Sequence, residues 1–125
     1  MSQITQSRRT FQPGERLFRE GDPAECAYVI VDGRVEISKA VRDDTHVLAV
    51  VGKGEIVGEM SLIDDQPRSA TARAVGSVTC IVVSRAAFQA KLDRMDPVTR
   101  RLLTKFVGIA RQYNAERASR ATVIR

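Results

Sequence analysis

The sequence has no tryptophan, one histidine and two cysteines among its 125 residues. The single imidazole of His46 leaves a Ser-His or Cys-His catalytic pair only one possible base, and a zinc site would need both distant cysteines and a carboxylate besides. Cys26 and Cys80 each lie within an apolar run, so we expect buried, reduced thiols rather than a disulfide framework. These shortages argue against an enzyme, and we expect neither a metal nor another cofactor.

Long hydrophobic runs are also missing. No apolar segment approaches the roughly 20 residues of a membrane helix, and no charged leader followed by an apolar stretch opens the chain. The apolar fraction of 43% and the charged fraction of 28% are typical of a globular protein. We therefore expect one cytoplasmic domain spanning residues 1–125, without contact to a membrane.

The positive charge is unevenly distributed along the chain. Residues 1–83 carry 10 Lys/Arg and 12 Asp/Glu, whereas residues 84–125 carry 10 and 3, which gives net charges of −2 and +7. A solvated cationic helix face is the simplest interpretation, and contact with an acidic partner is the next. An electrostatic nucleic-acid binder remains open as an alternative function.

Short β-like runs occupy residues 8–83, and turn signals separate them at intervals of about 8 to 12 residues, as in an antiparallel barrel or sandwich. The turn signals are Pro13-Gly14, Gly21-Asp22-Pro23, Gly52-Lys53-Gly54 and Val75-Gly76-Ser77. Asp32-Gly33 lies between two β-branched runs, which predicts a hairpin with a two-residue turn. The uniformly apolar runs Thr45–Val51 and Val78–Val83 are predicted to lie deeper than the other strands.

Helical patterns begin at Ser84, a favourable N-cap for a short helix over residues 85–93. Asp96-Pro97 then starts a second, long helix to about residue 118. Its apolar residues form a stripe wider than one neighbour requires, so part of this face should meet a partner chain or a ligand. They are Val98, Leu102, Leu103, Phe106, Val107, Ile109, Ala110 and Tyr113.

The segment from Gly54 to Ala74 carries the strongest chemical signal. It places Gly58-Glu59 and Arg68-Ser69 ten positions apart, around a stretch (Met60–Asp64) that fits one helical turn. A cyclic phosphate fused to a ribose would require an arginine fork, the amides of a helix start and an acceptor for the 2′-hydroxyl. Arg68 supplies the fork, Glu59 the acceptor, and Gly58, Met60, Ser61 and Ser69 the amides. The competing interpretation is a Glu59–Arg68 ion pair on a loop.

Several linked motifs resemble those of the cyclic nucleotide-binding domains that are shared by the bacterial catabolite activator protein, protein kinase A regulatory subunits and cyclic-nucleotide-gated channels. They are Phe11-x-Pro-Gly-Glu15, Phe18-Arg-Glu-Gly-Asp22, Tyr28-Val-Ile with Asp32-Gly33, Gly58-Glu59-Met-Ser-Leu62 and Pro67-Arg68-Ser-Ala-Thr71. The resemblance covers residues 10–115. It implies a mainly β fold with helices, an eight-stranded antiparallel β-roll of the jelly-roll type over residues 8–83, followed by C-terminal helices.

The resemblance also implies the roles of individual residues. Arg68 would bind the exocyclic phosphate oxygens, Glu59 the ribose 2′-hydroxyl, and backbone amides would complete the cradle. The base would be capped from the C-terminal helix, where Arg111, Tyr113 and Asn114 are candidates, although Tyr113 fits core packing equally well. The implied ligand-binding residues are Gly58, Glu59, Met60, Ser61, Arg68, Ser69 and Ala70.

The expected function is that of a cyclic nucleotide receptor that signals to a partner protein, or through a homodimer, by movement of its C-terminal helix. Ser69 after the arginine leaves cAMP and cGMP open, and we favour cAMP because bacterial members with an Arg-Ser-Ala pattern tend to prefer it. Because the chain ends at Arg125 without a helix-turn-helix module, we expect no sequence-specific DNA binding. The alternative is an interaction module that binds cGMP, a cyclic dinucleotide or no nucleotide.

Overall fold

The computed structural model describes the backbone of residues 6–124 and the side chains of residues 7–116. The strands in this part of the chain are β1 (Gln6–Phe11), β2 (Arg16–Phe18), β3 (Cys26–Val41), β4 (Asp44–Val51), β5 (Ile56–Val57) and β6 (Thr71–Ser84). The helices are α1 (Glu59–Asp64), α2 (Arg85–Asp93) and α3 (Pro97–Ile124). Strands therefore precede the two longer helices, as predicted, and α1 occupies the position of the expected helical turn.

All strand pairs are antiparallel, in the order β1-β6-β3-β4, with β2 added to β6 and β5 to β3. The two long strands β3 and β6 form the spine, from the pair Cys26↔Ser84 to the pair Ser38↔Thr71. The predicted class, an antiparallel β fold with C-terminal helices, is confirmed. Residues 6–124 contain six strands rather than the eight expected, because β3 and β6 each run through a position at which the sequence predicted a turn.

Two of the predicted turns are wrong. Asp32-Gly33 lies inside β3, and Val75-Gly76-Ser77 lies inside β6. The register between the strands shifts on both sides of Asp32, which places the two glycines in one irregular, bulged stretch of the ladder. Gly33 and Gly76 have φ angles of +96° and +79°. Glycine adopts these positive φ angles readily, and here they produce a bulge in a continuous pair of strands rather than a reversal of the chain.

The remaining turn predictions are confirmed, but one depth prediction is not. Turns occur at Pro13-Gly14, at Gly21 and at Lys53-Gly54. The run Val78–Val83 is largely buried, whereas Val47 and Val50 of β4 are exposed. Buried His46 and Leu48 alternate with exposed neighbours along β4, so only one face of this strand packs on the core.

The main core lies between the curved faces of the sheet. Tyr28 is its centre: the Phe11 ring packs edge-on at a centroid distance of 5.7 Å, and the Phe18 ring stacks at 6.2 Å. The remaining core residues are Leu17, Ile30, Val35, Val57, Ala72, Ala74, Val78 and Cys80. A second cluster of Ala24, Ala27 and Leu62, with Phe88 against it, seats α1 and α2 on the start of β3. Hydrophobic packing thereby fixes the short helix α1 to the roll.

Side-chain caps define where both longer helices begin, as predicted. The Ala87 amide donates to Ser84 Oγ at 3.1 Å at the start of α2. At the start of α3 the Thr99 hydroxyl donates to Asp96 Oδ2 at 2.7 Å and the Thr99 amide donates to Asp96 Oδ1 at 2.9 Å. These two hydrogen bonds from Thr99 lower the pKa of the Asp96 carboxyl. Within the described residues, no helix is long and apolar enough to cross a membrane.

The bulge gives a stability prediction. A Cβ at Gly33 would lie 3.0 Å from Val78 Cα and closer still to the Ser77 carbonyl oxygen, both of which are backbone. Gly33→Ala should therefore lower the free energy of unfolding by about 2–4 kcal/mol through strain and overlap together. Urea denaturation measures the loss.

Gly76→Ala is the matched control, because Gly76 has a similar positive φ but nothing within 4 Å of an added Cβ. Gly76→Ala should lower the free energy of unfolding by only about 1–2 kcal/mol, which is the cost of a positive φ angle for alanine. Equal losses for the two variants would contradict a close approach of the strands at Gly33.

Candidate functional site

A pocket lies where β2, β3, β4 and β5 meet the segment of residues 58–70, here called the cassette. Its empty volume is about 550 Å³, which includes solvent at the mouth. Apolar side chains form one wall and the cassette the other. The lining residues are Phe18, Ile37, Val51, Ile56, Val57, Gly58, Glu59, Met60, Ser61, Arg68, Ser69, Ala70 and Asn114. All seven residues that the resemblance assigned to the ligand thus share one cavity.

Arg68 is the central polar group of this pocket, and it is only 4% exposed. Its Nη1 donates to the Gly58 carbonyl oxygen at 2.8 Å and its Nη2 to the Cys26 carbonyl oxygen at 2.6 Å. The guanidinium carbon lies 4.0 Å from the centroid of the Phe18 ring. Nε is buried and has no hydrogen-bond partner among the described residues. Burial lowers the pKa of the Arg68 guanidinium because the charged form loses hydration.

The backbone of Arg68 is fixed by the turn at Gly21. The Gly21 amide donates to the Arg68 carbonyl, and the Arg68 amide donates to the Asp22 carbonyl, both at 2.8 Å. Pro67 restricts the chain immediately before. The motifs Phe18-Arg-Glu-Gly-Asp22 and Pro67-Arg68, far apart in sequence, are therefore hydrogen-bonded neighbours in the fold.

Gly58 brings the start of α1 against Arg68. It caps the helix with φ +86° and provides no side-chain cap. A Cβ here would overlap Arg68 Nη1 and lie 3.0 Å from Phe18 Cε2. The positive φ angle therefore favours glycine, and a Cβ at this position would also displace the guanidinium from its place beside Gly58.

Glu59 lines the pocket beside Arg68 but does not pair with it: the ion pairs within residues 7–116 do not include an Arg68–carboxylate contact. The loop ion pair that the sequence left open is therefore absent from this part of the chain. Burial raises the pKa of the Glu59 carboxyl above its ordinary value of 4.5, and Glu55 raises it as well; a backbone hydrogen bond and Arg68 lower it. Shifted carboxyls of this kind are common at binding sites.

Two side chains that the sequence reasoning missed position the end of the cassette. Lys39 Nζ donates to the Ser69 carbonyl oxygen at 2.8 Å and pairs with Glu20 Oε2 at 3.1 Å. Glu20 also accepts from the Ala40 amide at 2.9 Å. Glu20 stands within the Phe18–Asp22 motif, but no local pattern pairs Lys39 with Glu20 or with Ser69, which lie 19 and 30 positions away in the sequence.

The three base-capping candidates on α3 occupy different places. Asn114 lines the pocket. Arg111 is turned to α1, where it forms an ion pair with Asp64. Tyr113 lies on the outer side and is largely exposed, so it is not a core residue of this chain. The structure thus brings one of the three candidates to the pocket.

The apolar wall of Phe18, Ile37, Val51 and Ile56 was also missed. Strand alternation identifies Ile37 as inward-facing, but no local signal says that these four residues meet. Among the described residues, no group of three or more His, Cys, Asp and Glu side chains is arranged to hold a metal ion.

A pH dependence follows from the raised pKa of Glu59. A carboxyl whose pKa is higher in the folded than in the unfolded state contributes stability below the unfolded pKa, and this contribution is lost as pH rises through the folded pKa. Glu59→Gln should therefore become more stable relative to wild type as pH rises from about 4 to about 7. Chemical denaturation of the ligand-free protein across this range measures it.

Glu25→Gln is the control, because it removes the same charge at an exposed position. Its stability difference from wild type should change little with pH. If Glu59→Gln instead became less stable relative to wild type as pH rises, the folded state would stabilise the ionised carboxylate, and the prediction would be wrong.

The profile of the cyclic nucleotide-binding domain family matches residues 8–95. Acetyltransferase Pat of Mycolicibacterium smegmatis is 37% identical over 102 residues, 77% of this chain and 31% of that protein. A cAMP-dependent protein kinase regulatory subunit of Dictyostelium discoideum is 32% identical over 95 residues, 73% of this chain and 29% of that protein.

Solved structures agree with the sequence matches. The cAMP-bound form of the EAL enzyme Bd1971 superposes with a TM-score of 0.85 at 31% identity, over 94% of this chain and 32% of that chain. Its cGMP-bound form gives 0.80 at 33% identity, over 84% and 28%. The chain spans about a third of the length of these relatives. On the family match and these identities, the chain is a member of the cyclic nucleotide-binding domain family.

Proposed function

We propose that this chain is a cyclic nucleotide receptor in which Arg68 binds the exocyclic phosphate oxygens. The observation that carries the proposal is the buried guanidinium of Arg68, whose neighbours are neutral carbonyls and whose Nε is unpartnered among the described residues. A buried cation is stabilised by a compensating anion. A cyclic phosphate carries one negative charge and two exocyclic oxygens, which suits a planar fork of donors.

The rest of the cassette serves the ribose and phosphate in this proposal. Glu59 accepts from the 2′-hydroxyl, and the amides of Gly58, Met60 and Ser69 complete the phosphate cradle. Ser61 contributes at most its amide, because its hydroxyl already donates to the Pro67 carbonyl oxygen at 3.2 Å. Ala70 is nearly buried and lines the floor. A small residue at this position leaves room for the sugar ring.

We assign the base to the space between the apolar wall and Asn114. A carboxamide offers one acceptor and a donor side by side, the complement of the amino group and adjacent ring nitrogen of adenine. The N1–H and O6 of guanine fit the same carboxamide, so Asn114 suits either purine, and our preference for cAMP rests on the Arg68-Ser69-Ala70 pattern. cGMP is the second candidate, since Bd1971 has been solved with either nucleotide.

The proposed activity is binding, not catalysis. The family is defined by ligand binding, and the relatives include a kinase regulatory subunit. Where a relative is an enzyme, as with the acetyltransferase, the match covers less than a third of it. We place the receptor in the cytoplasm, which agrees with two cysteines that are both free.

The outer face of α3 is the proposed output surface. Five large apolar side chains there are 47–69% exposed, more than a helix facing only water usually presents. They are Val98, Leu102, Phe106, Ile109 and Tyr113. From Leu102 onward the spacing is four, three, four, the alternation of a two-stranded coiled coil. We therefore propose that a second copy covers this face and that the ligand shifts the helix relative to it.

Arg68→Ala tests the receptor proposal. Removing one partner of a buried charge pair costs about 2–5 kcal/mol, so the affinity for cAMP should fall by some 30-fold to several-thousand-fold. Arg68→Lys keeps the charge but loses the fork, and its affinity should fall less. Titration calorimetry with cAMP, cGMP and a cyclic dinucleotide measures both the loss and the preference.

Arg101→Ala is the matched control, because it removes an exposed arginine and should leave the affinity unchanged. Thermal unfolding shows whether each variant is folded. Equal cAMP affinities for wild type and a folded Arg68 variant would refute the phosphate assignment. Tight binding of the cyclic dinucleotide alone would refute the cAMP preference.

Phe106→Glu tests the output surface. A carboxylate at the centre of the stripe opposes burial against a second copy, so the variant should be monomeric where the wild type is dimeric. Light scattering after size exclusion gives the mass. Thr104→Glu adds the same charge on another side of α3 and should stay dimeric; a monomeric wild type at high micromolar concentration would contradict the homodimer.

A further inference from the structure

Little apolar contact holds α3 to the roll. Of its side chains described (residues 97–116), only Val107 is fully buried, and Leu103, Ala110, Arg111 and Asn114 are partly covered. Such a helix gains only about 1.5–3 kcal/mol from one buried aliphatic side chain. Polar contacts to the roll therefore decide how firmly the helix is seated.

Arg111 makes the strongest of the polar contacts found for this face. Its Nε and Nη2 donate to the two carboxylate oxygens of Asp64, and Nη2 also donates to Ser61 Oγ at 3.0 Å. The two charged side chains are only 18% and 13% exposed. A bidentate ion pair that is shielded from water stabilises the contact between two elements more than an exposed pair does, since the stabilisation from an exposed pair is often negligible.

The same contact joins α3 to the cassette wall of the pocket. Ser61, which accepts from Arg111, donates its own proton to the Pro67 carbonyl, next to Arg68. Asn114 follows Arg111 by one turn of α3 and lines the pocket. Arg111 therefore connects the helix that carries Asn114 with the cassette that carries Arg68.

We infer that Arg111, Asp64 and Ser61 form a clamp that positions α3, and with it Asn114, against the pocket. A ligand then enters a site whose α3 wall is already assembled, so less of its binding free energy is spent on ordering the helix. Arg111 and Asp64 are positioning residues: they act through Asn114 and the cassette. The ligand half of this inference rests on the proposed function; the seating of α3 does not.

A neighbouring ion pair supplies a matched control. Asp65, the residue after Asp64, pairs with Arg85 Nη1 at 3.1 Å and is 85% exposed. That pair joins the end of α1 to α2 rather than to α3. Asp65→Asn removes the same charge one residue away, at a left-handed position (φ +61°) that asparagine tolerates. Arg101→Gln is the corresponding control on α3.

The seating of α3 is tested without ligand. In hydrogen exchange, Arg111→Gln and Asp64→Asn should each reduce protection of residues 103–114 by about tenfold, with β6 unchanged as the internal measure of folding. The double variant should lose little more than either single variant, because both remove one interaction. Asp65→Asn and Arg101→Gln should match wild type. Unchanged protection of α3 in Arg111→Gln would overturn the inference.

The ligand half is tested by the dissociation rate of cAMP, or of cGMP if that is the nucleotide bound. Both clamp variants should release nucleotide about 5- to 20-fold faster, with a smaller change in association, since affinity changes within one site fall mainly on dissociation. Arg111→Lys should lie between wild type and Arg111→Gln. Lost protection with an unchanged dissociation rate would overturn the positioning role. A wild type that binds neither nucleotide would refute the proposed function, while the exchange experiment would still judge the clamp.

Discussion

The buried guanidinium of Arg68 is the constraint around which the rest of this domain is arranged. It lies on the Phe18 ring and donates to carbonyl oxygens from two separate parts of the chain. A Cβ at position 58 would displace this guanidinium, and the backbone of Arg68 is held by the turn at Gly21. A charge placed this deep without an anionic neighbour has a high free energy. The pocket beside it is where that charge is accessible to a ligand.

The strands supply the rigidity that such a placement needs. Because β3 and β6 continue through their bulged glycines, one long pair of strands spans the domain. The Cys26 end of β3 accepts from Arg68, and its other end carries Lys39, which holds the Ser69 carbonyl. Hydrogen bonds to both ends of β3 thus hold the cassette in place. Two separate hairpins would leave these ends independent of each other.

In the proposed function, the two faces of helix α3 have different roles. The inner face carries Val107, Arg111 and Asn114 toward the roll, and the outer face carries the exposed apolar stripe. In the proposed function, the small apolar contact of α3 with the roll would let a ligand shift the position of the helix with a modest difference in affinity. The sequence showed the width of the stripe, but only the fold distinguishes its inner half from its outer half.

The sequence alone determined the helix starts at Ser84 and Asp96-Pro97, because a capping side chain bonds to amides within the next turn. Linked motifs in the sequence also singled out Gly58, Glu59 and Arg68, which the fold brings to one pocket. The sequence did not determine whether Asp32-Gly33 reverses the chain or bends it, since a glycine permits both and the pairing partner β6 lies some 40 residues away in sequence. The partner of Arg111 was likewise decided by tertiary structure. An exposed-looking arginine and aspartate, 47 positions apart, pair only because the packing of α1 and α3 brings them together.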